Sequence, residues 1–160
     1  MKEFVIKDPT TNKETEVLVR PMEDTDVIEA SYLEKATFSM PWKSEDFLEM
    51  IKADYAYYYV AMAGNKLVGI AGLRDVAGEG EITNIAVNQD YRGLKIGKAL
   101  IRTLMDKCDE LKIKDVTLEV RVSNKTAIGL YESFGFVSEG IRPGFYEKPA
   151  EDAMIMWRRG

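Results

Sequence analysis

Apolar and polar residues alternate from Glu16 to Arg20 and then meet Pro21, which predicts a strand ended by a residue with no N–H to give a sheet. Asp24 or Thr25 is placed to cap a helix running to Ala36, with Val27, Ile28, Tyr32 and Ala36 at helical spacing. A breaker, Phe38-Ser39-Met40-Pro41-Trp42, follows. Ser44 then opens a second helix whose first turn carries Glu45 and Asp46, the end of a helix dipole that favours negative charge. Ala56 to Ala63 and Lys66 to Val76 are β-rich runs joined by Gly64-Asn65, a two-residue hairpin signal. Glu81 to Val87 reads as a further strand. From Ile96 to Leu111, Ile96, Ala99, Leu100, Leu104, Cys108 and Leu111 form the apolar stripe of a long helix. Strand Val116 to Val122, helix Asn124 to Phe134 and the stop residue Gly135 come next. Strands over Phe136 to Ile141 and Ala153 to Trp157 end the pattern. The order β-α-α-β-β-β-α-β-α-β-β predicts an α/β (α+β) fold: about seven strands in a mixed, mostly antiparallel sheet with helices on both faces.

A length of 160 residues, with no repeat or linker, predicts a single domain over 1–160. The chain is 46% hydrophobic, enough for a real core, yet lacks any apolar run of the roughly 20 residues that a membrane span needs. Its start lacks the apolar stretch of a signal peptide, and its one cysteine, Cys108, fits a reducing, cytoplasmic setting. Cys108 has core spacing and reads as packing, not as a nucleophile. Histidine is absent from the sequence, which removes Ser-His-Asp and Cys-His catalysis and most zinc sites. No metal is expected. Acid–base chemistry must fall to Asp, Glu, Tyr, Lys or Cys.

A net charge of −5 argues against general nucleic-acid binding, but the charge is uneven. Tyr91 to Lys125 holds nine Lys/Arg against five Asp/Glu, while the rest of the chain holds thirteen against twenty-two. A local basic stretch inside an acidic chain suits one anionic ligand, although uneven surface decoration gives the same counts.

Within that stretch, Arg92-Gly93-Leu94-Lys95-Ile96-Gly97-Lys98 lies between a strand and the long helix. Unpaired N–H groups at a helix start, glycines that let backbone approach an anion, and three cations together suit a phosphate. The spacing is neither a Walker loop nor a dinucleotide fingerprint. Further on, Glu119 and Arg121 share one face of their strand, opposite Leu118 and Val120. Glu119 is therefore a solvated carboxylate, an ion-paired one, or a base in a cleft. Asn124 reads first as a helix cap, and Tyr131 shares its helical face.

Together these segments resemble the GCN5-related N-acetyltransferases (GNAT). Arg92-x-x-Lys95-x-Gly97, following Ile85-Ala86-Val87, is similar to that family's acetyl-CoA signature, with Lys95 where a glycine is usual. The segment Phe38 to Trp42, the run LEVRVSNKTAIGLYESFGF from Leu118, and Ile141-Arg142 with Glu151 to Met156 resemble the ribosomal-protein alanine N-acetyltransferase (RimI) group. The resemblance implies a GNAT fold in which splayed strands form an acetyl-CoA cleft. It implies that Ile85, Ala86 and Val87 pair with the pantetheine arm, that Gly93 to Lys98 with Arg92 wrap the pyrophosphate, and that Asn124 binds cofactor further along. Glu119 takes the place of the family's proton acceptor and Tyr131 that of its proton donor. If Lys95 must adopt a positive φ, it carries a cost that glycine avoids.

The implied activity is acetylation of a protein N-terminus, most specifically alanine on the eighteenth small-subunit ribosomal protein. Acetylation of lysine or a small amine is the alternative enzyme, and a non-catalytic acyl-CoA-binding module the alternative outside catalysis. The chemistry closes without histidine. An α-amine with a pKa of roughly 7.7–8.0 is about 10–20% neutral at pH 7, so a carboxylate base suffices. The acidic remainder of the chain suits a basic acceptor peptide, and Phe38, Trp42 and Tyr146, with Phe145, fall in breakers that flank the cleft, where the resemblance implies that they line an acceptor pocket for a small first residue.

Overall fold

The structure is a computed structural model that describes residues 2–160. Twelve regular elements follow in chain order: β1 (Lys2–Lys7), β2 (Glu14–Pro21), α1 (Val27–Thr37), α2 (Ser44–Lys52), β3 (Ala56–Ala63), β4 (Lys66–Val76), β5 (Glu79–Val87), α3 (Ile96–Glu110), β6 (Val116–Arg121), α4 (Lys125–Ser133), β7 (Val137–Tyr146) and β8 (Glu151–Arg158). The strands form one eight-stranded sheet in the order β1-β2-β3-β4-β5-β6-β8-β7. Every pairing is antiparallel except β5 with β6.

Two apolar layers sandwich this sheet. Ile96, Leu100, Leu104 and Cys108 of α3 and Ile128 and Tyr131 of α4 pack with Val68, Ala71 and Leu73 on one face. Val27, Ala30 and Leu33 of α1 and Phe47 and Met50 of α2 pack with Tyr58, Val60, Ile70 and Ala86 on the other. β4 is buried on both faces, which is why it reads as a nearly continuous apolar run.

The hairpin β3–β4, the helix over α3 and the Gly135 stop, at φ +92, match the sequence pattern. Four expectations are corrected. The eighth strand, β1, was not expected: it is an edge strand on which Ile6 is buried but Val5 is 63% exposed, so no clean alternation betrays it. In α1 the buried face is Val27, Ala30, Leu33 and Glu34, whereas Ile28, Tyr32 and Ala36 point outward. Residues Asp24–Asp26 form a 3-10 turn, and the caps there and at α2 come from the third residue in. The Asp26 carboxylate accepts from the Glu23 N–H at 2.8 Å, and Asp46 accepts from the Lys43 N–H at 2.8 Å, so Lys43 and not Ser44 is the N-cap of α2. Finally, β7 runs on to Tyr146, which places Phe145 and Tyr146 on the sheet's outer strand and not in a breaker.

Candidate active site

The parallel pair β5–β6 is joined at two positions, Gly80 with Val116 and Glu81 with Thr117. Beyond them the strands part. Up to Val87, β5 keeps its antiparallel partner β4, with Ile85 opposite Ala71, Ala86 opposite Ile70 and Val87 opposite Gly69, so one edge of Ile85–Val87 is paired and the edge towards β6 is left over. An unpaired edge offers N–H and C=O groups to an extended amide-bearing ligand. The register slips between Gly72 and Leu73, and Thr83 is the additional residue, a bulge two residues past the last position at which β5 pairs with β6.

At the far end of β5 the chain makes a 3-10 turn, Gln89–Tyr91, and enters α3. Tyr91 is buried, and its hydroxyl donates to the Asp8 carboxylate at 2.9 Å, so the turn between β1 and β2 fixes the start of the loop. Gly93 has φ +78 with nothing within 4 Å of where a Cβ would stand. Lys95, the N-cap of α3, has φ +67 and ψ +16 and supplies no side-chain cap. Among the described residues no side-chain acceptor meets the first-turn N–H groups of α3, and the exposed Arg92, Lys95 and Lys98 lie close to them in the chain. Leu94 is half-buried, and Ile96 is buried at 1% exposure, so its backbone and not its side chain can meet a phosphate. A Cβ on Gly97 would come within 3.3 Å of Leu130, which shows how closely α4 approaches α3.

Glu119 lies on β6 with its side chain 31% exposed, and its Oε2 pairs with Arg142 Nε at 3.2 Å. Burial raises its pKa; Arg142 opposes that rise, and the nearby Glu81 charge adds to it. Tyr131 is buried on α4, edge-on to Phe136 at 6.0 Å, and its phenol is pushed up by burial and then by Tyr146. Tyr146 is pushed up to about 12 by burial first and by the Glu119 charge second. Tyr146 is thus coupled electrostatically to both Glu119 and Tyr131. Asn124 caps α4 by accepting from the Ala127 N–H at 3.2 Å, the structural role that its position first suggests.

The expected acceptor wall is divided. Phe38, in the segment between α1 and α2, is 38% exposed. Trp42 instead packs inward, 5.3 Å from Phe47 and 5.7 Å from Tyr58. Beneath it lies a polar network that the sequence reading missed. Glu34, 3% exposed, accepts from Asn84 Nδ2 at 3.1 Å and from the Trp42 N–H at 3.4 Å, while its Oε2 has no partner. Tyr58 reaches across Gly72 to Thr83 and donates to Asn84 Oδ1 at 3.3 Å. A Cβ at Gly72 would fall 2.5 Å from the Tyr58 ring, so glycine is required there. Burial pushes the Glu34 carboxyl up to about 7. The helical spacing of Val27, Ile28, Tyr32 and Ala36 gives no sign of this glutamate; its burial follows from the true inward face of α1. No group of His, Cys, Asp and Glu among the described residues could hold a metal ion.

A sheet opened at one parallel pair, beside a glycine-bearing loop that heads a long helix, is the architecture of an N-acyltransferase, and it superposes on one. The crystal structure of the ribosomal-protein-S18-alanine N-acetyltransferase from Escherichia coli matches with a TM-score of 0.82 and 31% identity, over 89% of this chain and 93% of that one. The chain belongs to the acetyltransferase (GNAT) family, whose model matches residues 27–136. Among curated relatives, the ribosomal protein bS18-alanine N-acetyltransferase of Escherichia coli (strain K12) is 34% identical over 140 residues, 86% of this chain and 94% of that protein. A Bacillus subtilis (strain 168) protein assigned provisionally to the same activity is 38% identical over 144 residues, 89% of this chain and 95% of that protein.

Proposed function

We propose that this chain, as a single-domain enzyme in a cytoplasmic setting, uses acetyl-CoA to acetylate the α-amine of a protein N-terminus, with N-terminal alanine of a basic ribosomal protein as the acceptor. The observation that carries the reading is the parting of β5 from β6, with Glu119 on β6 and the uncapped start of α3 at the end of β5; the same reading assigns Tyr131 of α4 to the opposite side. Acetyl-CoA supplies the thioester carbonyl that an amine can attack. The Ile85–Val87 edge suits the pantetheine amides, and the amides of α3, with Arg92, Lys95 and Lys98, suit the diphosphate. The orphan helix amides and the open space at Gly93 fit such a group without rearrangement. Asn124 serves chiefly as a cap, with its amide N–H₂ free for the cofactor's outer part.

In this reading Glu119 takes the proton that the amine loses as its nitrogen bonds to the acetyl carbon. The carbon–sulfur bond breaks, and Tyr131 donates to the departing sulfur. Because burial strengthens the Tyr131 O–H against ionisation, the group stays protonated throughout the working pH range, ready to donate. The test is mass spectrometry of an alanine-first basic peptide incubated with enzyme and acetyl-CoA, beside the same peptide with a blocked α-amine and free lysines. Acetylation of the free N-terminus alone is the expected result. Modification of both peptides would move the assignment to lysine or broad amine acetylation.

A further inference from the structure

The Arg121 guanidinium sits two residues beyond Glu119 on β6, hence on the same face and about 7 Å along the strand. Both of its terminal nitrogens are fully engaged. Nη1 donates to Pro149 O at 2.9 Å and to Glu151 Oε1 at 3.2 Å, while Nη2 donates to Ser39 Oγ at 3.1 Å and to Glu147 O at 3.0 Å. Its plane also lies over the Tyr146 ring, 4.5 Å from the centroid. Ser39 closes the arrangement by donating to Glu147 O at 2.7 Å. These partners belong to two segments far apart in sequence: the stretch between α1 and α2, which carries Phe38, and the β7–β8 hairpin, whose turn follows directly on Tyr146 at the end of β7.

We propose that Arg121 is the positioning residue of the acceptor site, a strap that holds these two walls at a fixed separation on either side of Glu119. This inference rests on the acceptor entering beside Glu119. With its terminal N–H donors all spent on the protein, Arg121 has no fork left for an anionic ligand, so its role is to place other groups. Its charge is matched locally by Glu151, which also accepts from the Ser123 N–H at 2.7 Å and thereby fixes the chain between β6 and α4. Lysine cannot replace it, because a single ammonium cannot span a carboxylate, a hydroxyl and two carbonyls in one plane. The strap leaves the diphosphate loop untouched, so its effect falls on the acceptor and not on the cofactor.

The experiment compares Arg121→Gln, Arg121→Lys and Ser39→Ala with the unaltered protein. Two readouts are used: amide hydrogen exchange by segment, and steady-state kinetics with the alanine-first peptide beside acetyl-CoA binding by calorimetry. In Arg121→Gln, exchange should quicken at least ten-fold in residues 37–43 and 145–151 together, with α3 unchanged. Peptide KM should rise about ten-fold or more while the acetyl-CoA Kd stays within two-fold. Arg121→Lys should recover little of this, and Ser39→Ala should move both readouts in the same direction by a few-fold. Unchanged exchange in residues 37–43, or a fall in thermal stability with peptide KM unmoved, would overturn the strap. An unaltered enzyme that acetylates no N-terminus would instead overturn the acceptor reading, and the exchange comparison would still decide whether Arg121 joins the two walls.

Discussion

Glu119 Oε2 stands 3.2 Å from Arg142 Nε, and both side chains remain partly open to solvent. The pair joins an inner strand, β6, to the outer strand β7 across β8, and it sets the charge state of the proposed base. Burial and Glu81 favour the neutral acid, whereas Arg142 favours the carboxylate.

Glu119→Gln should therefore lower turnover on an N-terminal peptide by roughly a hundred-fold or more near neutral pH, the range for a positioned general base. The deficit should be largest at low pH, where the α-amine is protonated, and should shrink towards pH 9, where the amine deprotonates unaided. Arg142→Ala should shift the acid limb of kcat/KM to higher pH, since removing the guanidinium raises the Glu119 pKa further. A pH–rate profile of the three proteins checks both statements. A uniform loss across the profile would remove Glu119 from the base role.

Tyr131→Phe keeps the ring that packs edge-on to Phe136 and deletes the hydroxyl alone. The hydroxyl forms no hydrogen bond with any described residue, so its loss leaves no buried partner unpaired and costs little stability. Turnover should fall at least ten-fold with acetyl-CoA affinity unchanged, as measured by single-turnover kinetics beside calorimetry. Parallel loss of turnover and affinity would reduce Tyr131 to a packing residue.

Much of this arrangement is legible in the chain. Hairpin β3–β4 announces itself through alternation and Gly64-Asn65, and α3 through its apolar stripe, because each is long and buried along one face or along its full length. The phosphate-suited loop is visible as glycines and cations before a helix. Other features escape for physical reasons. β1 alternates in burial, but its outward position 5 is a valine, so Phe4-Val5-Ile6 reads as an unbroken apolar run. The face of α1 is set by Glu34, a polar residue that burial rules would place outside, and the polar network behind it depends on the bulge at Thr83, which no local signal encodes. Glu119, Tyr131 and Tyr146 come from three different elements, so the electrostatic coupling of Tyr146 to the other two is a property of topology and not of spacing.

Lys95 occupies the left-handed region at φ +67, where a residue with a Cβ costs about 1–2 kcal/mol and glycine costs nothing of that kind. Glycine also loosens the unfolded chain, which returns part of that difference. Lys95→Gly should accordingly raise stability by about 0.5–1 kcal/mol, a rise of a few degrees in Tm for a chain of this size. The same change removes one of three cations beside the α3 amides, so CoA should bind more weakly, with a shallower dependence on salt. Thermal unfolding and CoA titration at two salt concentrations would test this. A fall in Tm would mean that the ammonium contributes more to the folded loop than its backbone costs.

Glu34 gives a prediction about stability alone. Its carboxyl is 3% exposed, has one oxygen without a partner, and titrates at about 7 in the fold against an ordinary value of 4.5. The folded protein therefore holds this proton more tightly than the unfolded chain does. The associated stability is fully present below the unfolded pKa and is lost as pH rises through about 7, amounting to about 3 kcal/mol across that window. Glutamine keeps an oxygen for Asn84 and for the Trp42 N–H but cannot ionise. Near pH 5 the native protein and Glu34→Gln should unfold at similar denaturant concentrations, and by pH 8 the variant should be the more stable. Parallel stability curves across this range would mean that Glu34 is ionised when folded and that its second oxygen is satisfied by an ordered water.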